Sequence, residues 1–264
     1  MGHVSLRAAR IAVGTRTLFE RLELDILAGE FWAVVGPNGV GKTTLLRTIA
    51  GLQHAPAGDV LVDGVRLERL RPRARARHVA LLTSDSGAPS GMSVFDVVAT
   101  GRFAARTWWG WQERTDDREA VLDALRCVGL AEFADRPCET LSSGERQRAW
   151  LALALAQGAR TILLDEPTSH LDVRFAREVL ALLARIAAQG TTIVAVLHDL
   201  DEATDFADRV ALLGTGTLLA AGTPRDALAP ELLEQAYGIP FEAVHVGGVY
   251  RVAPVRVPGS PLSR

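Results

Sequence analysis

A glycine-rich segment, flanked by an apolar run and a helical run, constrains the fold of this chain more than any other feature. The segment Gly36-Pro37-Asn38-Gly39-Val40-Gly41-Lys42-Thr43 fits the pattern G-x-x-x-x-G-K-[ST]. Before it, Phe31–Val35 is a continuous apolar run typical of a strand buried on both faces, and after it Leu45–Gly51 has helical spacing. A strand, a phosphate-binding loop and a helix in this order predict an α/β fold.

The residue types of this loop suit the binding of phosphates. Glycines let the backbone curl so that successive N–H groups face one anion, and the following helix adds its positive end. Lys42 is the only lysine among 29 basic residues, and we expect its ammonium to reach the β- and γ-phosphates of ATP. The Thr43 hydroxyl is expected to ligate Mg²⁺. The predicted ATP-binding residues are Gly36, Pro37, Asn38, Gly39, Val40, Gly41, Lys42, Thr43 and Thr44. The spacing does not fit the G-x-G-x-x-G of dinucleotide-binding folds.

Two carboxylates follow a second buried strand. Asp165 and Glu166 come directly after the apolar run Thr161–Leu164. The carboxyl end of a parallel strand faces the same crevice as the glycine-rich loop, so Asp165 is placed to hold Mg²⁺ and Glu166 to act as general base toward water. Acidic residues at strand ends are often only helix caps, and the catalytic interpretation depends on the loop in the same chain.

Serine residues also precede a helical run, Arg146–Ala156. In Leu141-Ser142-Ser143-Gly144-Glu145 the serines are natural N-caps. The alternative is that this segment forms a second phosphate-binding helix N-terminus.

The remaining pattern alternates between strands and helices. Strands are predicted at Val4–Leu6, Leu22–Ile26, His78–Leu82, Thr191–Leu197 and Val210–Leu213, and a hairpin at Asp59–Val65 with Asp63-Gly64 as its turn. Helical spacing dominates from Gly91 to Ala156 and returns at Ala176–Gln189 and Asp201–Phe206. From Glu231 we expect a short helix and then a Val/Gly/Pro-rich segment that frays at Pro258–Arg264.

These motifs together resemble those of ABC transporter ATPases. The glycine-rich loop, Leu141–Glu145, Thr161–Glu166, Ser169-His170-Leu171-Asp172 and His198 occur in that family's order and spacing, over roughly Leu6 to Thr223. Leu141–Glu145 is similar to the family's signature loop, with Ser143 and Glu145 in place of the commoner Gly and Gln. Asp172 falls in the D-loop, and His198 matches the switch histidine.

The resemblance implies an architecture and a set of partners. The implied fold is a P-loop NTPase of the ABC type, with a RecA-like core, an antiparallel β subdomain and a helical subdomain inserted at about 91–157. The ATPase domain would span 1–240 and the C-terminal tail 241–264. Glu166 and His198 would be catalytic, and two subunits would form a homodimer that encloses ATP, with the signature loop and Asp172 acting across the interface. Two polytopic membrane permease subunits and, indirectly, an extracytoplasmic substrate-binding protein are the other implied partners, with this chain peripheral on the cytoplasmic side of the inner membrane.

Two positions depart from the family pattern. The family usually has a metal-sensing Gln after the strand His78–Leu82, where this chain has Ser84 followed by Asp85. Either residue is a candidate for the Mg²⁺ site. Many members also stack adenine on an aromatic residue at the position of Val13, where this chain offers only apolar contact.

The chain resembles most the ATPases of importers for iron-siderophores, haem or cobalamin. The residues that carry this resemblance are Gly101-Arg102, Glu145–Trp150, Leu197–Leu200 and Tyr237–Pro240. Two alternatives stay open: an ABC ATPase of a soluble assembly machine, as in iron–sulfur assembly, and a degenerate ATP-binding module. A soluble partner in place of a membrane one would favour the assembly machine. Turnover of ATP by the purified chain would argue against the degenerate module.

Composition excludes other classes of function. The net charge of −2 predicts no nucleic-acid partner, and we interpret the arginines of Arg66–Arg77 as a solvated face. The longest apolar runs are far shorter than the roughly 20 residues that cross a bilayer. Cys127 and Cys138 are expected to be free thiols. Trp108, Trp109 and Trp111 are interpreted as packing residues, with a permease contact as the alternative.

Overall fold

The computed structural model describes residues 2–83, 90–104 and 115–255. The strands are β1 (Val4–Val13), β2 (Arg16–Ile26), β3 (Phe31–Val35), β4 (Ala57–Val62), β5 (Val79–Thr83), β6 (Thr161–Asp165), β7 (Thr192–Val196), β8 (Arg209–Gly214), β9 (Thr217–Gly222), β10 (Phe241–Val246) and β11 (Val249–Pro254). The α-helices are α1 (Lys42–Ile49), α2 (Pro72–Arg75), α3 (Val94–Ala99), α4 (Thr115–Cys127), α5 (Ser143–Gln157), α6 (Val173–Ala188), α7 (Leu200–Phe206), α8 (Pro224–Ala227) and α9 (Pro230–Tyr237). Short 3-10 helices occur at Leu67–Arg69, Thr100–Ala104, Ala131–Phe133 and Cys138–Thr140.

A six-stranded sheet forms the centre of the fold, in the order β5-β6-β7-β3-β8-β9. All neighbouring pairs are parallel except β8 and β9, which are antiparallel. Because β6, β7 and β3 are adjacent and parallel, their carboxyl ends meet at one edge of the sheet. That edge is where open α/β sheets bind ligands.

The continuous apolar runs of the central strands are buried on both faces, as predicted. In β3, Phe31, Ala33 and Val35 pack toward the helices α3–α6, whereas Trp32 and Val34 pack toward a second sheet and α1. Successive side chains point to opposite faces of a strand. A strand that is covered on both faces is therefore apolar at every position.

The second sheet is antiparallel, in the order β2-β1-β4, and here one prediction was wrong in part. Asp63 and Gly64 do form a turn with positive φ, of 52° and 76°. The chain beyond the turn returns only to a single bridge between Val62 and Val65, so no second hairpin strand forms. The chain beyond Val65 enters the 3-10 helix Leu67–Arg69 instead of continuing as a strand, and β4 pairs only with β1.

The helices α3, α4 and α5 lie between β5 and β6 in the chain, in the segment where helical spacing was predicted. The boundaries at 91–157 and at 240 stay predictions. In the described part of the chain, no helix is both long and apolar enough to cross a bilayer.

The C-terminal segment contains an antiparallel hairpin, β10–β11, that the sequence patterns did not indicate. Its turn is Gly247-Gly248, with φ of 60° and 81°, values that favour glycine. The hairpin packs against α7 and α9. The predicted fraying at Pro258–Arg264 lies outside the described residues.

Candidate active site

The glycine-rich loop, here called the P-loop (Gly36–Thr44), connects β3 to α1 as predicted. Only glycine fits at position 36, because a Cβ atom there would lie 2.4 Å from the carbonyl oxygen of Leu213. Gly41 has φ of 115° and is the N-cap of α1 without a side-chain cap. The first amides of α1 therefore keep their donors free of side-chain acceptors, which is the arrangement that binds an anion at a helix N-terminus.

Lys42 is folded back onto the loop. Its Nζ donates to the carbonyl oxygens of Gly36, at 2.6 Å, and Pro37, at 3.0 Å. The residue is 6% exposed, and burial lowers the pKa of its ammonium while the carboxylates of Glu166 and Asp165 oppose that shift. A buried cation held by neutral carbonyls gains from the arrival of a phosphate anion.

Thr43 and Asp165 bring two oxygen ligands together. The Thr43 hydroxyl donates to Oδ1 of Asp165 at 3.1 Å. Burial raises the pKa of the Asp165 carboxyl, and the hydrogen bond from Thr43 and the charges of Arg47 and Lys42 offset part of that rise. Hydroxyl and carboxylate oxygens are the ligands that Mg²⁺ prefers, so this pair fits the ion.

Glu166 and His198 are in direct contact. Nε2 of His198 lies 2.7 Å from Oε1 of Glu166, and both side chains are partly exposed, at 45% and 36%. In the loop between β6 and α6, Glu166 has φ of 55° and His170 has φ of 64°. Two non-glycine residues of this loop therefore have a left-handed backbone conformation. Such strain persists only where surrounding structure enforces it, and it is common at functional sites.

A pocket of about 340 Å³ opens beside the P-loop. Besides P-loop residues, its lining includes Val13, Arg16, Leu18 and Glu166. Val13 is 51% exposed there, so the residue predicted to meet adenine does border the pocket. The role of Val13 toward adenine stays a prediction.

The signature loop (Leu141–Glu145) stands apart from this pocket. Among the pocket-lining residues of the described chain, none comes from that loop. Ser142 caps α5 by accepting from the Glu145 amide, and Oε2 of Glu145 accepts from the amide and the hydroxyl of Ser142, at 2.8 and 2.9 Å. The N-cap interpretation is therefore confirmed for Ser142, whereas Ser143 is the first residue of α5. The phosphate-binding interpretation stays a prediction.

The signature loop and the D-loop pack side by side. A Cβ atom on Gly144 would lie 3.1 Å from the ring of Phe175. The amide of Phe175 in turn donates to Oδ1 of Asp172, the N-cap of α6, at 3.0 Å. Glycine at position 144 lets the starts of α5 and α6 meet at this distance, so the two loops form one surface.

Sequence reasoning missed several residues near the site. Arg16 and Leu18 of β2 line the pocket. Glu202 accepts a hydrogen bond of 2.9 Å from the hydroxyl of Thr168, which lies two residues after Glu166. No spacing rule links these positions, because each contact joins elements distant in sequence. The predicted Ser84, Asp85, Trp108, Trp109 and Trp111 lie outside the described residues.

Comparison with known proteins places these features in one family. A family model described as "ABC transporter" matches residues 19–169. The iron(3+)-hydroxamate import ATP-binding protein of Bacillus subtilis is 38% identical, over 92% of this chain and 91% of that protein. The ferric enterobactin transport ATP-binding protein of Escherichia coli is 38% identical, over 87% and 84%. A hemin import ATP-binding protein of Rhodococcus jostii is 39% identical, over 97% and 88%.

Solved structures agree with this assignment. An inward-facing conformation of a metal-chelate type ABC transporter matches with a TM-score of 0.83 and 26% identity, over 97% of this chain and 98% of that one. A dimeric ATP-binding cassette in a post-hydrolysis state, bound to ADP and Pi, matches with a TM-score of 0.71 and 26% identity, over 84% and 99%. The chain belongs to the ABC transporter family, as an ATP-binding and ATP-hydrolysing subunit.

Proposed function

We propose that this chain powers the import of an iron chelate, a ferric siderophore or haem, by hydrolysing ATP with Mg²⁺ as a homodimer. The observation that carries the catalytic part is the convergence of Lys42, the Thr43–Asp165 pair and the Glu166–His198 pair at the carboxyl edge of β3, β6 and β7. This combination provides a phosphate clamp, a pair of metal ligands and a base in one crevice.

The residues divide the work of hydrolysis. The P-loop amides and Lys42 bind the phosphates, and Lys42 exchanges the carbonyls of Gly36 and Pro37 for phosphate oxygens. Oε1 of Glu166 orients the attacking water and accepts its proton. His198, whose Nε2 lies 2.7 Å from the same oxygen, contacts the γ-phosphate and orients the carboxylate.

Thr43 and Asp165 hold Mg²⁺ in this proposal. When bound, the ion supplies positive charge that stabilises the transferring phosphoryl group. Ser84 or Asp85 is the proposed third contributor, directly or through water.

A second copy completes the site. Neither the signature loop nor Asp172 is among the described residues that line the chain's own pocket, and Ser142, Ser143 and Asp172 are exposed. In the proposed homodimer these residues cover the ATP held by the partner's P-loop. The dimeric cassette among the similar solved structures supports this arrangement.

The names of the relatives support an iron chelate as the cargo, and a cobalamin-type cargo is the alternative from the sequence resemblance. The proposed partners are two polytopic permease subunits, an extracytoplasmic binding protein that supplies the cargo, and no nucleic acid. The chain is then peripheral on the cytoplasmic side of the inner membrane, with the helical subdomain 91–157 as its contact to the permeases.

Co-purification and uptake test this function together. The tagged chain is isolated from membranes of its own cell in mild detergent, and cells that carry Lys42→Ala or Arg21→Ala are compared for uptake of radiolabelled ferric hydroxamate and of haem. Arg21 is an exposed residue of β2 that lies 3.7 Å from Glu23 and serves as the control. We expect a stoichiometric polytopic partner, loss of uptake with Lys42→Ala and normal uptake with Arg21→Ala.

Other results would redirect the assignment. A soluble partner in place of a permease would favour an assembly machine. Normal uptake of both iron chelates with Lys42→Ala would contradict the import proposal.

A further inference from the structure

The short helix α7 begins two residues after His198. Asp199 is its N-cap and accepts from the Asp201 amide at 2.8 Å. The helix has only seven residues, Leu200–Phe206. A helix this short has little stability of its own, so contacts with the rest of the protein set its position.

One of those contacts comes from the C-terminal hairpin. Arg251 of β11 donates through Nη2 to Oδ1 of Asp205 at 2.5 Å, and its Nε lies 3.4 Å from Oδ1 of Asp201. Arg251 and Asp205 are only 20% and 13% exposed. The planar fork of an arginine suits two carboxylates one helical turn apart, and low exposure reduces the screening of the pair.

Asp205 also receives an arginine from α6. Nη1 of Arg177 lies 2.9 Å from Oδ2 of Asp205. Burial alone would raise the pKa of the Asp205 carboxyl. Hydrogen bonds from Arg177 and Arg251 outweigh burial and hold this pKa below its ordinary value. The Asp205 carboxylate therefore connects α7 to the β10–β11 hairpin and to α6, the helix whose N-cap is Asp172.

A neighbouring face of α7 contacts the loop that follows Glu166. Glu202 accepts from the hydroxyl of Thr168, which follows Glu166 by two residues. The helix thus contacts both the loop that carries Glu166 and the hairpin that carries Arg251.

We propose that Arg251 is a positioning residue for ATP hydrolysis: by holding α7 through Asp201 and Asp205, it sets the approach of His198 to Glu166 and to the γ-phosphate. The inference rests on hydrolysis at the P-loop pocket, as proposed above. Lys42 and the P-loop bind nucleotide without help from α7. Loss of Arg251 therefore lowers the rate of the chemical step and leaves the affinity for ATP unchanged. Small displacements of catalytic groups lower rates by up to about 100-fold.

Steady-state kinetics of the whole purified chain test this role. We expect Arg251→Ala to lower kcat about 3- to 10-fold while KM for ATP stays within about twofold, the pattern of an interaction that acts on the transition state. Arg251→Lys should recover part of kcat, because an ammonium reaches one carboxylate but not both. The control Arg21→Ala should keep wild-type kcat.

A double variant and hydrogen exchange distinguish positioning from general damage. If Arg251 acts through Asp205, Asp205→Ala with Arg251→Ala should be no slower than Asp205→Ala alone. The amides of residues 200–206 should exchange faster in Arg251→Ala than in the wild type.

The inference is overturned if Arg251→Ala keeps wild-type kcat, if Arg251→Lys recovers none of the loss, or if exchange in α7 is unchanged. A wild-type chain without ATP turnover would instead contradict the proposed function. In that case the exchange of α7 still decides whether Arg251 holds the helix.

Discussion

Lys42 is where the sequence and the structure agree most closely at the scale of a single residue. The chain uses arginine at all its other basic positions, and the one lysine is buried against two loop carbonyls. A guanidinium is a rigid planar fork, whereas the compact ammonium of lysine sits on a flexible stem that can turn from the carbonyls to the phosphates.

Replacing Lys42 by Ala should therefore weaken ATP binding. Loss of a charge-assisted hydrogen bond costs about 1.5–3 kcal/mol, which corresponds to roughly 10- to 100-fold in affinity. Titration calorimetry with ATP and Mg²⁺ measures the change, with Arg21→Ala as the control. Unchanged affinity would refute the phosphate role of Lys42.

Asp165 should make the stability of the metal-free protein depend on pH. Its pKa is raised in the folded state by burial, so the folded chain binds this proton more tightly than the unfolded chain. The ionised carboxylate therefore lowers stability as pH rises above the unfolded value of about 3.9, and the loss is complete above the folded pKa.

Asp165→Asn should accordingly raise the melting temperature at neutral pH by a few degrees, and this gain should vanish below about pH 3.9. Thermal unfolding across pH in the presence of a chelator measures it. A variant less stable than the wild type at neutral pH would show that the carboxylate stabilises the fold.

At the scale of elements, the sequence predicted what depends on local pattern. The buried strands β3, β6 and β7 were predicted within a residue or two, because a strand covered on both faces is apolar throughout. The P-loop, Asp165 and Glu166 were found because each directly follows such a strand.

The elements that were missed depend on partners distant in the chain. The pairing of β4 with β1 and the packing of the β10–β11 hairpin on α7 join segments that no periodicity connects. Arg251 meets Asp205 across 46 residues, and neither belongs to a motif. Capping of α5 by Ser142 and Glu145 was predictable, since that signal spans four residues.

Gly144 sets the distance between the first turns of α5 and α6. Gly144→Val would push its added methyl groups into Phe175, whose ring already lies 3.1 Å from the Cβ position. We expect the free energy of unfolding to fall by about 1–3 kcal/mol, the usual cost of overpacking. Urea unfolding measures it beside Ser143→Val, which places the same side chain at an exposed neighbour. Equal stability of the two variants would contradict the packing argument.

At the scale of the whole molecule, the division of the site predicts dimerisation driven by ATP. The described residues that line the pocket include neither the signature loop nor Asp172, and Ser142, Ser143 and Asp172 are exposed. Glu166→Gln, which should retain ATP, should sediment as a dimer with ATP and as a monomer without it. Lys42→Ala should remain monomeric in both conditions. A Glu166→Gln variant that stays monomeric at saturating ATP would contradict the two-subunit site.

Release of phosphate by the purified chain, wild type beside Glu166→Gln, tests the account most directly. We expect the wild type to turn over ATP and Glu166→Gln to be slower by about 10²- to 10⁴-fold, with ATP binding retained, because the amide accepts no proton from water. Hydrolysis by Glu166→Gln at the wild-type rate would contradict the assignment of Glu166 as the general base.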